Sequence, residues 1–349
     1  MRNFNYKKLL DLKINTDIYE LIAGIYEFKG RQELYLVNFP DILENLVEIS
    51  KIQSTRSSNA IEGILTTDQR LKELVNKKSE PKNRNEEEIY GYREVLDIIH
   101  NNYPNIEFTK NNILTLHNRL YAYSPKRFKG RFKNMDNSII EVDSSGMKKL
   151  RFSPISAFET EACIDNMICA YNEAVEENIP PLLLIPTILH DFLCIHPFLD
   201  GNGRISRLLT LLLLYKNGFY VGKYISLEML IENTKDIYYE SLQKSSENWH
   251  EEKNDQLPFI KYMLSIIYKA YYDLDKRFEL ISNKKLSNTD KIERIFENSI
   301  EPLTKSKLME LCPDISKRSI ERALKNLKEK GIIKQIGKSR ATKYIKSKP

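Results

Sequence analysis

The chain has 349 residues, of which 41% are hydrophobic and 29% are charged, and its formal net charge is +6 at pH 7. These values exclude an intrinsically disordered chain and fit a soluble protein of two or three domains with a substantial core. No apolar run has the about 20 residues of a membrane-spanning helix, and the first residues lack the apolar segment of a secretory signal. We therefore expect a cytoplasmic protein that does not enter a membrane.

The cysteines have neither metal-type nor redox-type spacing. They are Cys163, Cys169, Cys194 and Cys312, and they lie in apolar segments for which helices are predicted. This environment predicts buried, reduced thiols.

Basic residues are concentrated at the C-terminal end of the chain. Residues 283–349 contain 18 Lys and Arg against 8 Asp and Glu, whereas the rest of the chain contains 36 against 40. A basic surplus confined to one segment calls for an explanation of its own.

The first part of the chain has the apolar periodicity of helices. Up to about Ile52 it predicts two helices with a polar break near Lys29–Gln32. Residues 54–63 then predict a helix that ends at a C-cap glycine. Ser58 and Glu62 share one face of this helix, and taken alone they indicate an ordinary solvated surface.

The middle of the chain alternates between helices and one irregular region. Residues 77–88 are charged and polar and predict an exposed loop that runs into a new helix. His117 lies in a later helix and is assigned no role, because a core or surface histidine is commoner than a ligand. Between Lys129 and Pro154 the helical pattern stops. The alternation around residues 138–142 and the turn residues 143–146 predict a β-hairpin.

The most informative stretch runs from His196 to Arg207, between the apolar segments 182–195 and 208–214. This pattern predicts a helix, a glycine-rich turn and a second helix. Gly201, Asn202 and Gly203 open the second helix, where free backbone N–H groups and the helix dipole favour an anion.

The charged side chains of this stretch suit chemistry on a nucleotide phosphate. Arg204 and Arg207, one helical turn apart, can bind phosphate oxygens, and Asp200 suits Mg²⁺. His196 can take a proton near neutral pH. The alternative is a buried helical hairpin with a hydrogen-bonded histidine, but a core turn has no use for so many polar groups.

The stretch resembles the signature of the Fic family, His-Pro-Phe-x-Asp-Gly-Asn-Gly-Arg-x-x-Arg, and all nine fixed positions are present. The resemblance implies a protein adenylyltransferase that moves AMP from ATP to a Ser, Thr or Tyr hydroxyl of a target protein or of itself. His196 would be the base and Asp200 would hold Mg²⁺. The other nucleotide-binding residues it implies are Gly201, Asn202, Gly203, Arg204 and Arg207.

The same resemblance suggests roles outside the motif. Residues 58–63 look like the inhibitory helix of many Fic proteins, whose pattern makes Ser58 and Glu62 the inhibitory residues. In the family the glutamate, here Glu62, reaches Arg207 and occupies the place of the γ-phosphate. The hairpin would be the flap over the nucleotide and would bring Met147 to Arg151 near it. The flap residues predicted are Lys148, Lys149, Leu150 and Arg151. Tyr238 and Tyr239 match a tyrosine pair that borders the nucleotide in the family, although core aromatics are nearly as good an interpretation.

The basic C-terminal segment predicts three helices and a β-hairpin, which resembles a winged helix. Its predicted recognition helix and hairpin turn carry polar and basic residues suited to DNA phosphates. They are Ser316, Lys317, Arg318, Ser319, Arg322, Lys338 and Arg340. Winged helices also bind proteins, so DNA and protein are both open as partners.

These elements predict a mainly α protein with a Fic-type helical core, one β-hairpin flap and a C-terminal winged helix. The predicted division is an N-terminal helical region (1–105, with the inhibitory helix at about 54–63), a catalytic core (106–250), a helical connector (251–286) and the winged helix (287–349). Two other functions stay open: a nucleotide-sensing, DNA-binding regulator, and a hydrolase in which Glu62 positions the water that removes AMP. The sequence does not decide whether the protein forms homo-oligomers.

Overall fold

The structure is a computed structural model, and it describes residues 2–38, 40–142, 148–282, 287–297, 299, 301–337 and 342–347. The chain divides into two compact units. One combines the N-terminal residues up to Tyr26 with Ser50–Ala270, and the other combines Glu27–Ile49 with the chain from Tyr271 onward. The four-part division predicted from the sequence stays a prediction.

The protein is mainly α-helical, as predicted. The helices up to residue 282 are α1 (Thr16–Asn38), α2 (Pro40–Ile61), α3 (Asp68–Val75), α4 (Arg84–Asn102), α5 (Lys110–Leu120), α6 (Ala157–Glu176), α7 (Pro181–Ile195), α8 (Asn202–Lys216), α9 (Leu227–Asn233), α10 (Lys235–Ser246) and α11 (Leu257–Ser282). Short 3₁₀ helices lie at Tyr6–Asp11, Tyr103–Asn105 and Val221–Lys223. Among the described residues, no helix is long and apolar enough to cross a membrane.

Two adjacent helices form the centre of the larger unit. α7 is buried from Leu182 to Ile195, and α8 is buried from Arg204 to Tyr215. They pack against each other, α6 packs against α7, and α4 and α5 pack against α8. Both helices are apolar over most of their circumference, which is the pattern of a helix buried in a large core. The turn between them carries the motif.

A β-hairpin forms where the helical pattern stops. β1 (Ile139–Val142) pairs antiparallel with β2 (Lys148–Phe152), with a register shift between Ile139 and Ile140. The predicted turn at 143–146 and Met147 lie outside the described residues.

The second unit ends in three helices and another hairpin. These elements are α12 (Asn288–Glu297), α13 (Lys305–Leu311), α14 (Lys317–Glu329), β3 (Ile333–Ile336) and β4 (Lys343–Lys346). They enclose an apolar core that includes Phe296, Leu308 and Leu327. The element order is the one that the sequence predicts, while the assignment as a winged helix stays a prediction. Lys338 and Arg340 lie outside the described residues.

The break predicted near Lys29–Gln32 is wrong, because α1 continues through it. Only Gly30 weakens the helix there, by about 1 kcal/mol relative to Ala, and this is too little to end a long helix. The second helix begins instead at Pro40, whose missing N–H and fixed φ suit the first position of a helix.

The exposed loop predicted for residues 77–88 is only partly correct. α4 begins within this segment, and both Glu86 and Glu88 are buried. Glu86 forms an ion pair with Arg70 at 2.7 Å, and Glu88 forms one with Arg204 at 2.8 Å. A buried charge is tolerable when it is paired in this way, and the sequence pattern does not reveal such partners.

The prediction that all the cysteines are buried is wrong for Cys169. This thiol is exposed on α6 and lies 3.6 Å from a carboxylate oxygen of Glu173, one turn further along. Cys163, Cys194 and Cys312 are buried and free, as predicted.

Candidate active site

The motif forms the turn between α7 and α8. His196 is the C-terminal cap of α7 and has left-handed backbone angles, φ 51° and ψ 61°. Gly201 caps the start of α8, with φ 85°. Such angles cost little for glycine but are unfavourable for histidine, and backbone strain of this kind clusters at functional sites.

Neighbouring side chains hold the turn in place. The Asn202 amide accepts a hydrogen bond from the Phe198 N–H at 2.9 Å and donates to the Phe198 carbonyl oxygen at 2.7 Å. The imidazole of His117 stacks on the Phe198 ring, with 3.7 Å between centroids and 3° between planes. Lys133 Nζ donates to the carbonyl oxygen of Ile195 at 3.1 Å. The turn is therefore supported from several sides.

His117, to which the sequence assigned no role, supports the turn a second time. Its Nδ1 accepts a hydrogen bond from the Gly130 N–H at 3.0 Å, so Nε2 carries the proton and donates to the Asp200 carbonyl oxygen at 3.1 Å. Burial lowers the pKa of His117 to about 4, which keeps the ring neutral. It is a core histidine that fixes the backbone of Asp200.

His196 has the protonation state that a general base needs. Its Nδ1 lies 3.2 Å from the Leu193 carbonyl oxygen, and since a carbonyl can only accept, Nδ1 carries the proton. Nε2 is then left with its lone pair. Burial lowers the pKa of His196 to about 4, and the nearby Lys133 ammonium acts in the same direction. At neutral pH the ring is uncharged and can accept a proton through Nε2.

Arg207 is bound by the end of α2. Its Nη2 donates to Glu62 Oε1 at 2.7 Å and to the Ser58 carbonyl oxygen at 2.9 Å, while its Nε donates to Ser58 Oγ at 2.8 Å. Burial lowers the pKa of Arg207, but the Glu62 carboxylate outweighs this and holds it above its ordinary value. A Cβ atom on Gly203 would clash with Glu62 Oε1 and lie 3.2 Å from Arg207 Nη1, so the glycine leaves room for this pair.

Arg204 is buried and bound inside the protein. Its Nη2 donates to Tyr121 Oη at 2.6 Å and lies 2.8 Å from Glu88 Oε2, and its Nη1 donates to Asn59 Oδ1 at 3.4 Å. The same Nη2 is 3.7 Å from Asp200 Oδ1. In this arrangement the guanidinium connects the turn to α2 and α4.

Asp200 is ionised and paired with Lys126. Its Oδ2 accepts a hydrogen bond from Lys126 Nζ at 2.8 Å. Burial raises the pKa of Asp200, but this hydrogen bond and the charge of Arg204 outweigh it and hold the pKa below its usual value. The side chain is 44% exposed.

The chemistry of this carboxylate fits Mg²⁺, which binds one or two carboxylates together with waters and substrate phosphates. Among the residues that the structure describes, no group of three or more His, Cys, Asp or Glu could hold a metal by itself. A divalent cation on Asp200 would therefore take further ligands from water or from the phosphates of a nucleotide.

A cavity of about 190 Å³ lies beside the turn. It brings together predicted residues from the motif, the end of α2, the hairpin and α10, namely Glu62, Arg151, His196, Gly203, Arg207, Tyr238 and Tyr239. The other described lining residues are mostly apolar: Ile139, Phe152, Leu193, Cys194, Leu242, Gln243 and Ser246. Predicted residues that are not among the described lining residues are Ser58, Leu150, Asp200, Gly201, Asn202 and Arg204.

The hairpin meets α10 at the cavity wall. Arg151 donates a hydrogen bond to the Tyr239 carbonyl oxygen, and its guanidinium carbon lies 4.9 Å from the centroid of the Tyr239 ring. Leu150 points outward and is 60% exposed. Of Lys148 and Lys149 the structure describes only the backbone, which pairs with β1.

Sequence reasoning missed Glu88, Lys126 and Lys133, which contact the motif. All three are charged residues in segments without a helical or motif signal, and such residues are usually solvated. Their proximity to the turn depends on packing between segments far apart in the chain.

Comparisons with known proteins agree on the fold and the domain. Residues 107–214 match the profile of the Fic/DOC family. A Fido domain-containing protein of Dictyostelium discoideum is 31% identical over 100 residues, which cover 29% of this chain and 65% of that protein, slightly less than two thirds of its length.

Several solved structures similar to this chain are Fic proteins. A Fic family protein from Desulfovibrio desulfuricans G20 has a TM-score of 0.61 at 19% identity and covers 96% of this chain and 97% of its own. A Fic domain containing signaling protein from Bacteroides thetaiotaomicron VPI-5482 has a TM-score of 0.58 at 22% identity, and the match covers 74% of this chain and 96% of that protein's chain. Fic-1 from C. elegans has a TM-score of 0.56 at 18% identity, and the match covers 73% of this chain and 70% of the Fic-1 chain.

At these identities the structural likeness shows the fold alone, and the profile match is confined to residues 107–214. The matched segment contains the whole motif from His196 to Arg207, together with His117 and Lys133, which hold the turn in place. Residues 107–214 therefore match the Fic/DOC family profile, and the chain shares the fold of these Fic proteins.

Proposed function

We propose that the protein transfers AMP from ATP to a Ser, Thr or Tyr hydroxyl of a target protein or of itself, and that Glu62 inhibits this reaction. Proteins with this domain generally transfer nucleotidyl groups, chiefly AMP, to proteins. The observation that carries the proposal is the cavity in which the neutral His196 and the cationic Arg207 lie together.

In this proposal His196 Nε2 takes the proton of the target hydroxyl. The hydroxyl oxygen forms a bond to the α-phosphorus while the bond from that phosphorus to the bridging oxygen breaks. Pyrophosphate leaves with the electron pair, and the proton passes from His196 to solvent. The free backbone N–H groups at the start of α8 are suited to the charge that develops on the α-phosphate.

Asp200 is the residue that would hold Mg²⁺, which neutralises polyphosphate charge when it is bound. Arg204 keeps the turn in shape through Glu88 and Tyr121. Arg207 is the group proposed to bind the γ-phosphate, because a guanidinium matches phosphate and carboxylate oxygens equally well.

Glu62 acts as a competitor in this proposal. Its carboxylate already occupies Arg207 Nη2 at 2.7 Å, so a γ-phosphate has to displace it. The Glu62 side chain is 34% exposed while Arg207 is 3% exposed, so the glutamate is the partner that can leave. Removal of the carboxylate takes away the one charged acceptor of Arg207 among its described hydrogen bonds and leaves the bonds to Ser58 and the motif itself in place.

The test is an AMP-labelling assay with α-labelled ATP, Mg²⁺ and cell lysate. We expect weak labelling by the wild type, strong labelling by Glu62→Gly, and none by Glu62→Gly combined with His196→Ala. Glu44→Ala, an exposed glutamate of α2, is the control for the loss of a carboxylate and should behave as the wild type. If Glu62→Gly labels nothing, including itself, the transferase proposal is wrong.

We further propose that the C-terminal unit binds DNA phosphates through α14. Lys317, Arg318 and Arg322 are exposed at the start of this helix, and no acidic partner of theirs is found among the described contacts. By contrast, Lys325 of the same helix lies 3.9 Å from Glu329. A DNA-mobility assay with the full chain should show a shift that weakens as salt rises.

Matched variants decide whether α14 causes the shift. Arg318→Ala and Arg322→Ala should each weaken DNA binding, while Lys325→Ala should change it much less. If the wild type gives no shift even at low salt, the proposal that this unit binds DNA is wrong.

A further inference from the structure

We propose that Lys126 competes with a divalent cation for Asp200, so that the cation binds there only together with a polyphosphate. The proposal deepens the proposed function, on which it rests for the role of Asp200. Lys126 would act through Asp200 and touches no reacting atom, so it is a positioning residue.

Lys126 is held between two carboxylates. Its Nζ lies 2.8 Å from Asp200 Oδ2 and 3.0 Å from Glu88 Oε1. The ammonium also lies 4.5 Å from the centroid of the Tyr121 ring and 5.3 Å from that of Phe128. With 15% of its side chain exposed, this lysine is not an ordinary surface cation.

Glu88 keeps the ammonium in place. This carboxylate is 3% exposed and is itself fixed by Arg204 at 2.8 Å and by Arg84 at 3.1 Å. Glu88 therefore stays where it is if Asp200 changes its partner, and Lys126 can release Asp200 while it keeps its bond to Glu88.

The carboxylates around Asp200 are already matched by cations without a metal. Glu88 and Asp200 face Lys126 and Arg204 in contacts of 3.7 Å or less, and Arg84 adds a third cation on Glu88. A divalent cation placed on Asp200 adds two positive charges beside an ammonium that already occupies one carboxylate oxygen, and this repulsion is strong in a partly buried site. A polyphosphate supplies the missing negative charge, so cation and nucleotide should bind together.

The position of Asp200 agrees with this proposal. Its carboxylate is not among the described groups that line the cavity with His196 and Arg207. Its Oδ2 instead faces Lys126, on the side of α4. In the state that the structure describes, the ammonium is the cation bound to this carboxylate.

The experiment is a Mn²⁺ titration of the full chain without nucleotide, in which the EPR signal of free Mn²⁺ measures binding. Lys126→Met should bind Mn²⁺ at least about tenfold more tightly than the wild type, because a competing charge is removed. Lys126→Gln, which is neutral but can still donate to Glu88, should show the same gain and covers the case in which Lys126→Met does not fold.

Three controls assign the gain to charge at Asp200. Lys126→Arg keeps the cation and should bind Mn²⁺ as weakly as the wild type. Lys129→Met removes a lysine three residues away whose ammonium, within the described part of the chain, donates to backbone carbonyl oxygens, so it should also behave as the wild type. Asp200→Asn added to Lys126→Met should abolish the gain.

The inference is overturned if the neutral variants fold and bind Mn²⁺ no more tightly than the wild type, since Lys126 then only stabilises the turn. It is also overturned if the gain survives Asp200→Asn. The AMP-labelling assay with Glu62→Gly separates this failure from a failure of the proposed function. Labelling without tighter Mn²⁺ binding refutes only the role of Lys126, whereas tighter binding without labelling refutes only the transferase.

Discussion

Lys235→Met tests how the structure holds Glu62 on Arg207. Lys235 begins α10, and its Nζ donates a hydrogen bond to the carbonyl oxygen of Ile61 at 2.8 Å. Ile61 is the last residue of α2, and Glu62 follows it directly. Because an ammonium at a helix C-terminus stabilises the terminal carbonyl groups, its loss should loosen the segment that carries Glu62.

The expected size of the effect follows from this contact. A cation at a helix C-terminus contributes about 0.3–1 kcal/mol when it is exposed and up to about 2 kcal/mol when it is partly buried. Lys235 is partly buried, and about 1 kcal/mol raises the population with Glu62 released by about fivefold. Since the proposed reaction requires that release, the initial rate of AMP labelling should rise by about the same factor.

The assay compares initial labelling rates of the wild type, Lys235→Met, Lys235→Arg and Lys244→Met. Lys235→Arg keeps the cation and should stay close to the wild type. Lys244→Met removes an exposed lysine of the same helix that pairs with Glu240, so it should change nothing. The decisive comparison is made in the Glu62→Gly background, where Lys235→Met should have no further effect. An equal acceleration with and without Glu62, or no acceleration at all, would refute the reasoning.

Three further predictions follow from the buried histidines. In the Glu62→Gly variant, the AMP-labelling rate should fall on the acid side only near pH 4, because burial lowers the pKa of His196 to about 4. The labelling rate should therefore be constant from about pH 6 to 7. A fall centred near pH 6.5, the ordinary pKa of histidine, would contradict the lowered pKa. His100 and His190 have pKa values lowered by burial from 6.5 to about 3, so below about pH 6.5 the unfolded chain binds protons that the folded chain does not. The free energy of unfolding, measured with urea, should therefore fall as the pH decreases from 6.5 to 5, by up to about 1.4 kcal/mol per pH unit for each histidine, and a constant value would count against these pKa values. His117→Ala should lower the free energy of unfolding by about 2–4 kcal/mol, because it removes the stack on Phe198 and two partly buried hydrogen bonds. The substitution of the exposed His250 by Ala should cost much less, and equal costs would contradict the supporting role of His117.

The sequence alone was informative where the chemistry is contiguous. Residues 196–207 contain the proposed base, the acidic residue, the glycines and both arginines within one turn and the start of one helix. Their relative positions follow from local helix and turn geometry, so a pattern of residue types is enough to recognise them. The same holds for the apolar helices on either side, whose burial follows from their composition.

Longer-range parts of the site could be inferred only through the resemblance to a family. Glu62 and Arg207 are 145 residues apart, and neither segment alone indicates the other. The hairpin and the tyrosines of α10 were likewise weak signals by themselves. The structure brings Glu62, Arg151, Tyr238 and Tyr239 to the same cavity as His196.

The contacts that hold the turn were decided by tertiary packing alone. Lys126 reaches Asp200 across 74 residues and Glu88 across 38, and Lys235 reaches Ile61 across 174. In the sequence these are single charges in polar segments, which indicate solvated surface. Which buried charge meets which partner depends on how the helices are packed, because the desolvation cost that forces pairing exists only once the core has excluded water.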